Sequence, residues 1–127
     1  MATIKSYTDI NQSRKLAEIL PLESADMMWK KELKYRICSD EHKVSESDFI
    51  YYPIFKEEKI IMSNFDVPCW SLAALLSVLP EGTRLLKSAI DNIYHCDCPK
   101  GNIDKWFDNP VDACVNMIIK LSELKML

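Results

Sequence analysis

Glycine is almost missing from this chain. Its 127 residues include two, Gly82 and Gly101. Gly-rich loops that cradle phosphates need several glycines close together, so neither common type of phosphate loop can be built here. Histidine is as scarce, with His42 and His95 alone. Long apolar runs are lacking too. The longest, "VPCWSLAALLSVLP", is bounded by prolines and too short to span a bilayer. The N-terminal "MATIKSYTDINQSRK" is polar and has no apolar segment of the secretory kind. No Ser/Gly/Pro-rich linker, repeat or low-complexity tract divides the chain. An excess of basic charge is also absent. The net charge is −3, which argues against a dedicated nucleic-acid binder but leaves room for a local patch.

What remains is the composition of an ordinary soluble domain, 48% hydrophobic and 28% charged. Residues 1–127 are expected to form a single globular domain, long enough to bury a core without disulfides or metal. Five cysteines, an odd number without a secretory signal, read as reduced thiols in a cytoplasmic protein with no membrane partner.

The pattern of elements follows from periodicity and punctuation. Residues 8–20 read as a helix capped by Thr8 and stopped by Pro21. Ile10, Leu16, Ala17 and Leu20 form its apolar stripe, with Ser13 as a gap. "LKYRIC", residues 33–38, alternates like a half-buried strand. "FIYYPIFKEEKIIMS" reads as a hairpin turning at Lys56–Lys59, with Pro53 placing its strand at an edge or a bulge. "WSLAALLSVLP" is a second helix, capped by Ser71 and apolar nearly all round, which places it at the centre of the core. Residues 83–89 and 91–97 read as short strands. The last helix has Asn109 as cap, Pro110 in the first turn and Asp112 beside it. Its stripe is Val111, Cys114, Val115, Ile118 and Leu121. The expected class is α+β: a small, mostly antiparallel sheet of about five strands with three helices packed on it, in the order α-β-β-β-α-β-β-α.

Three groups of residues offer chemistry. The stretch "NIYHCDCPKG" packs His95, Cys96 and Cys98 together. On a strand, Cys96 and Cys98 point one way and His95 the other, so the histidine and Cys96 do not easily grip one ion. A zinc site would need a second pair, and Cys38 with His42 completes a tetrahedral set of Cys38, His42, Cys96 and Cys98. C-x-C is tighter than the usual spacing of structural zinc ligands, and the plainer reading is two half-buried thiols on a strand. No cofactor is expected beyond that conditional zinc. The second group is "MWKKELKYR", where Trp29, Lys30, Lys31, Lys34 and Arg36 combine basic charge with aromatics, as a phosphate- and base-binding patch would. Tyr35 falls on the apolar strand face, which favours core and a solvated charged face instead. The third group is the hydroxyls, thiols and acids. Ser71, His95 and Asp66 assemble into a triad only on paper, so no catalytic residue is assigned. Cys69 precedes a helix whose dipole would lower its pKa. Asp26 and Asp66 sit among apolar neighbours, and Asp26 has no obvious helix to cap.

Three blocks in order, "QSRKLAEILPLESADMMW", "VPCWSLAALLSVLP" and "DNPVDACVNMIIKLSEL", resemble a family of small uncharacterised proteins from prophages and mobile elements of Bacteroides-type gut bacteria. The resemblance covers most of the chain outside the middle strands. It departs at Ile19-Leu20 and Ser24, where relatives carry Gly-Leu and Thr. It implies a phage-related origin and an intracellular setting, and it transfers no activity, cofactor or site. The expected role is therefore a non-enzymatic protein-interaction module with an unidentified protein partner. The alternatives are a small metal-binding or thiol-dependent enzyme and a nucleic-acid-binding accessory protein. Self-association is expected as well, because "FIYYPIF" exposes an apolar edge unless something covers it.

Overall fold

The computed structural model describes residues 5–33, 49–56, 66–102 and 105–127. The first helix, α1, runs from Ile10 to Ala17. Its cap is Asp9, not Thr8. The Asp9 carboxylate accepts from the Gln12 N–H at 2.7 Å, and the Gln12 side chain accepts from the Asp9 N–H at 3.2 Å. This reciprocal box closes the helix one residue later than expected. Thr8 is unavailable as a cap because its side chain is fully buried and bonded within the core. Ala17 is exposed, while Ser13 and Leu16 are fully buried. The Ser13 gap is thus part of the buried stripe.

A 3-10 turn at Leu22–Ser24 leads into strand β1, Met27–Leu33. The expected strand at 33–38 shares only Leu33 with it, and the rest lies outside the described residues. Strand β1 begins earlier because Met27 and Met28 are both buried, at 4% and 1% exposure. A strand covered on both faces shows no alternation. Strand β2, Phe49–Phe55, pairs antiparallel with β1 from Met27↔Phe55 to Leu33↔Phe49. Strand β3, Val67–Cys69, pairs on the other side, with Met27↔Cys69. The order β2-β1-β3 leaves Pro53 on an outer strand of this three-stranded sheet, where its missing N–H is tolerated. The hairpin turn expected at Lys56–Lys59 falls, beyond Lys56, outside the described residues.

Helix α2, Leu72–Val78, is capped by Ser71, whose hydroxyl accepts from the Ala74 N–H at 3.2 Å. It is not the centre of the core. Ala74 and Leu75 are buried, but Ala73, Leu76 and Ser77 face solvent. Strands β4 (Arg84–Lys87), β5 (Tyr94–Cys98) and β6 (Gly101–Asn102) form a second antiparallel sheet in that order. Gly101 gives Leu121 its place there, since a Cβ would sit 3.0 Å from Leu121 Cδ2.

Helix α3, Pro110–Glu123, takes the central position instead. Asn109 caps it, accepting from the Asp112 N–H at 2.9 Å. Every member of the expected stripe is buried, and Ala113 and Met117 widen it. Residues of α1, α2, β5 and α3 share one cluster with Trp70, which is fully buried. The fold is α+β in the expected order with one addition, the two-residue β6, and its strands are divided between two small sheets rather than joined in one.

Candidate functional site

The sulfur-rich stretch forms β5, and its side chains alternate as the sequence implies. Cys96 and Cys98 point inward, with 3% and 5% exposure. His95 points outward, stacks on the Trp106 ring at 5.2 Å and contacts the Lys105 carbonyl at 3.1 Å through Nδ1. Inside, Cys96 meets Cys114 of α3. The hydrogen bond between them pushes the Cys114 thiol up, and burial adds to the shift. The same bond from Cys114 lowers Cys96, against the opposing effect of burial. Of the four-ligand zinc set, Cys38 and His42 lie outside the described residues. Among the described residues no three His, Cys, Asp or Glu gather around a common point. The two described ligands of that set are core thiols.

Cys69 behaves opposite to the dipole expectation. Burial pushes its thiol up, and the hydrogen bonds from Thr8 and Ser13 oppose this only in part. A thiol held protonated is a poor nucleophile. The paper triad is dispersed among other partners. His95 holds Trp106, Asp66 pairs with Lys30 at 3.0 Å, and Ser71 bonds Asp26.

The basic patch is also drawn into the fold. The Trp29 indole N–H donates to the Thr8 carbonyl at 3.2 Å, and its ring meets Tyr7 edge-on at 5.7 Å. The Lys30 ammonium is held by Asp66, whose side chain is 3% exposed. Lys31 lies over the Phe49 ring, 4.2 Å from its centroid. Lys34 and Arg36 lie outside the described residues.

Asp26 is where the structure gathers something new. It stands just before β1, and its carboxylate reaches the turn after β3. One oxygen accepts from the Ser71 N–H at 2.9 Å and the other from the Ser71 hydroxyl at 2.5 Å. Asp26 therefore fixes the residue that caps α2. The segment 6–8 is drawn alongside by the Leu72 N–H to Ser6 carbonyl bond and the Thr8 N–H to Trp70 carbonyl bond, both 3.0 Å. Met27 and Phe55 face each other across the β1–β2 ladder at the same end of the sheet. Together these enclose an open groove of about 590 Å³, lined by Ser6, Tyr7, Asp26, Met27, Pro53, Phe55, Ser71, Leu72 and Ala73. Its walls are mainly apolar, and Phe55 on its rim is 66% exposed. That volume lies within the range of small-ligand and side-chain pockets. Sequence reasoning singled out Asp26 and Ser71 separately. It had no signal joining them, because they meet only through the β1–β3 pairing.

Compared with known proteins, the chain matches no family model, no curated protein and no solved structure. Among the described residues no helix is long and apolar enough to cross a membrane.

Proposed function

We propose that the protein is a non-enzymatic interaction module that docks a segment of a partner protein in the groove between the end of the first sheet and the start of α2. One observation carries this reading. A largely apolar groove stands open to solvent, with a phenylalanine two-thirds exposed on its rim. Exposed aromatic surface of this kind, around a pocket that admits a side chain, is what partner segments anchor into. A cytoplasmic setting and a phage or mobile-element origin belong to the same proposal. The first rests on the odd number of cysteines and on the four described ones being buried and outside any disulfide. The second rests on the three sequence blocks alone.

The test is a peptide selection against the folded protein, followed by chemical-shift mapping of the selected peptides. Shifts clustered at Tyr7, Phe55 and Leu72 are the expected result. Selection of no peptide, or shifts confined to another surface, would remove the reading.

A second reading is self-association through β2, favoured by Ile50 at 43% and Phe55 at 66% exposure near its two ends. Sedimentation across a concentration series separates the two. A strict monomer leaves β2 to a different partner.

A further inference from the structure

We propose that the groove selects for a basic residue, with a lysine or arginine of the docked segment placing its charge against Asp26. This rests on the docking reading above and adds the recognition rule. Asp26 brings a negative charge into a groove whose other walls are mostly apolar. Among the described residues its carboxylate accepts from one neutral residue, Ser71. The described lysines nearby are directed elsewhere. The Lys56 N–H donates to the Asp26 carbonyl, but its ammonium goes to the Leu22 carbonyl at 3.1 Å. Lys5 is held between Asp9 and Asp112. Among the described residues Asp26 has no cationic partner.

Two oxygens carry about four acceptor positions, and two are filled, so the carboxylate keeps the capacity to receive an incoming donor. A carboxylate held in place by Ser71 costs the partner little reorganisation and is aimed before binding. The apolar walls suit the methylene stem of a long cationic side chain. The open rim suits a side chain delivered by a chain crossing the surface rather than a small molecule that must be enclosed. A net charge of −3 draws basic segments toward the whole protein.

The probe is an array of random octapeptides, each lysine or arginine binder paired with its acetyl-lysine or citrulline counterpart. It is read on the wild-type protein, on Asp26→Asn and on Phe55→Ser. The amide of Asp26→Asn keeps an acceptor for the Ser71 N–H, and Phe55 is exposed, so both changes are mild. Binders enriched in basic residues, weakened at least about tenfold by neutralisation, are expected, since one charge-assisted hydrogen bond is worth that much. Asp26→Asn should abolish the difference between charged and neutral peptides. Binders without basic preference, or pairs that bind equally to the wild type, overturn this inference and leave docking intact. No binders at all, or binders indifferent to Phe55→Ser, remove docking and this inference with it. If Asp26→Asn fails to fold, the peptide pairs on the wild-type protein still decide.

Discussion

Replacing Thr8 by valine removes one oxygen from a buried knot and keeps the side chain's shape. The Thr8 hydroxyl accepts from the Trp70 N–H at 3.1 Å, shares a 2.7 Å hydrogen bond with the Ser13 hydroxyl and lies 3.6 Å from the Cys69 sulfur. Thr8, Ser13, Cys69 and Trp70 are all at 0% exposure, so water cannot replace what is lost. The orphaned Trp70 N–H costs about 1–3 kcal/mol. Ser13 recovers part of its own loss by turning back to a carbonyl of α1, which adds about 1 kcal/mol or less. Thr8→Val should therefore cost about 1–4 kcal/mol, a large part of the roughly 5–15 kcal/mol that holds a domain folded. Ser13→Ala should cost about 1 kcal/mol, because Thr8 keeps its bond to Trp70. The double variant should be more stable than the sum of the two by about 1 kcal/mol, since each single change harms the same bond. Urea unfolding followed by tryptophan fluorescence reads all three. A Thr8→Val loss below about 0.5 kcal/mol, or strictly additive changes, would refute the knot as an energetic unit.

Gly82 has φ +84°, and a Cβ there would lie 3.1 Å from Pro99 Cγ, so Gly82→Ala should cost about 1–2 kcal/mol in the same unfolding assay. Burial raises the Asp112 carboxyl, but hydrogen bonds from Gln12, Lys5 and Asn109 and the Lys5 charge outweigh it and hold the carboxyl below its usual value. That stabilisation is present above the unfolded carboxylate value of about 3.9 and is lost as pH falls through the lower folded value. The stability gap between wild type and Asp112→Asn should therefore be widest near neutral pH and shrink below about pH 4; a gap unchanged by acid would refute it. Cys69, Cys96, Cys98 and Cys114 are all buried, so an alkylating reagent should label them only as the protein opens, as peptide mapping would record. Fast labelling of Cys96 or Cys98 in the folded state would remove them from the core. Stoichiometric zinc in metal-free-buffer preparations would do the same.

How much of this was legible depended on where each element buries its sides. The last helix could be read almost residue by residue. Asn109, Pro110 and Asp112 are local signals, and one stripe meets the core while the opposite face meets solvent. Strand β1 was hidden for the opposite reason. Met27 and Met28 are both covered, so its start carries no period of two. Strand β3 is three residues long and includes Pro68, too short for any pattern. Helix α2 looked central because its apolar residues surround it, yet composition does not say how many faces will find neighbours. Ala73 and Leu76 did not. Ser13 looked like a defect in a stripe until Thr8, five positions earlier, supplied its partner from outside the helix.

The same distinction separates the candidate chemistries. Among the described residues no buried side-chain nitrogen or oxygen lacks a hydrogen-bond partner. Polar groups that look reactive in sequence are mostly those the fold requires. Cys96 and Cys98 fill the inner face of β5, Lys30 neutralises a buried Asp66, and Trp29 satisfies the Thr8 carbonyl. A polar group becomes a functional candidate when the fold positions it without neutralising it. Among the described residues Asp26 meets that condition. Ser71 satisfies its geometry with two hydrogen bonds, and no described cation answers its charge, at the edge of a groove that water can enter. Asp66 is the contrast: equally placed among apolar residues in the sequence, it has a lysine within 3.0 Å. Two aspartates alike in sequence thus differ in whether a cation of the described residues reaches them, and that difference is why the proposed contact with a partner's charge rests on Asp26 and not on Asp66.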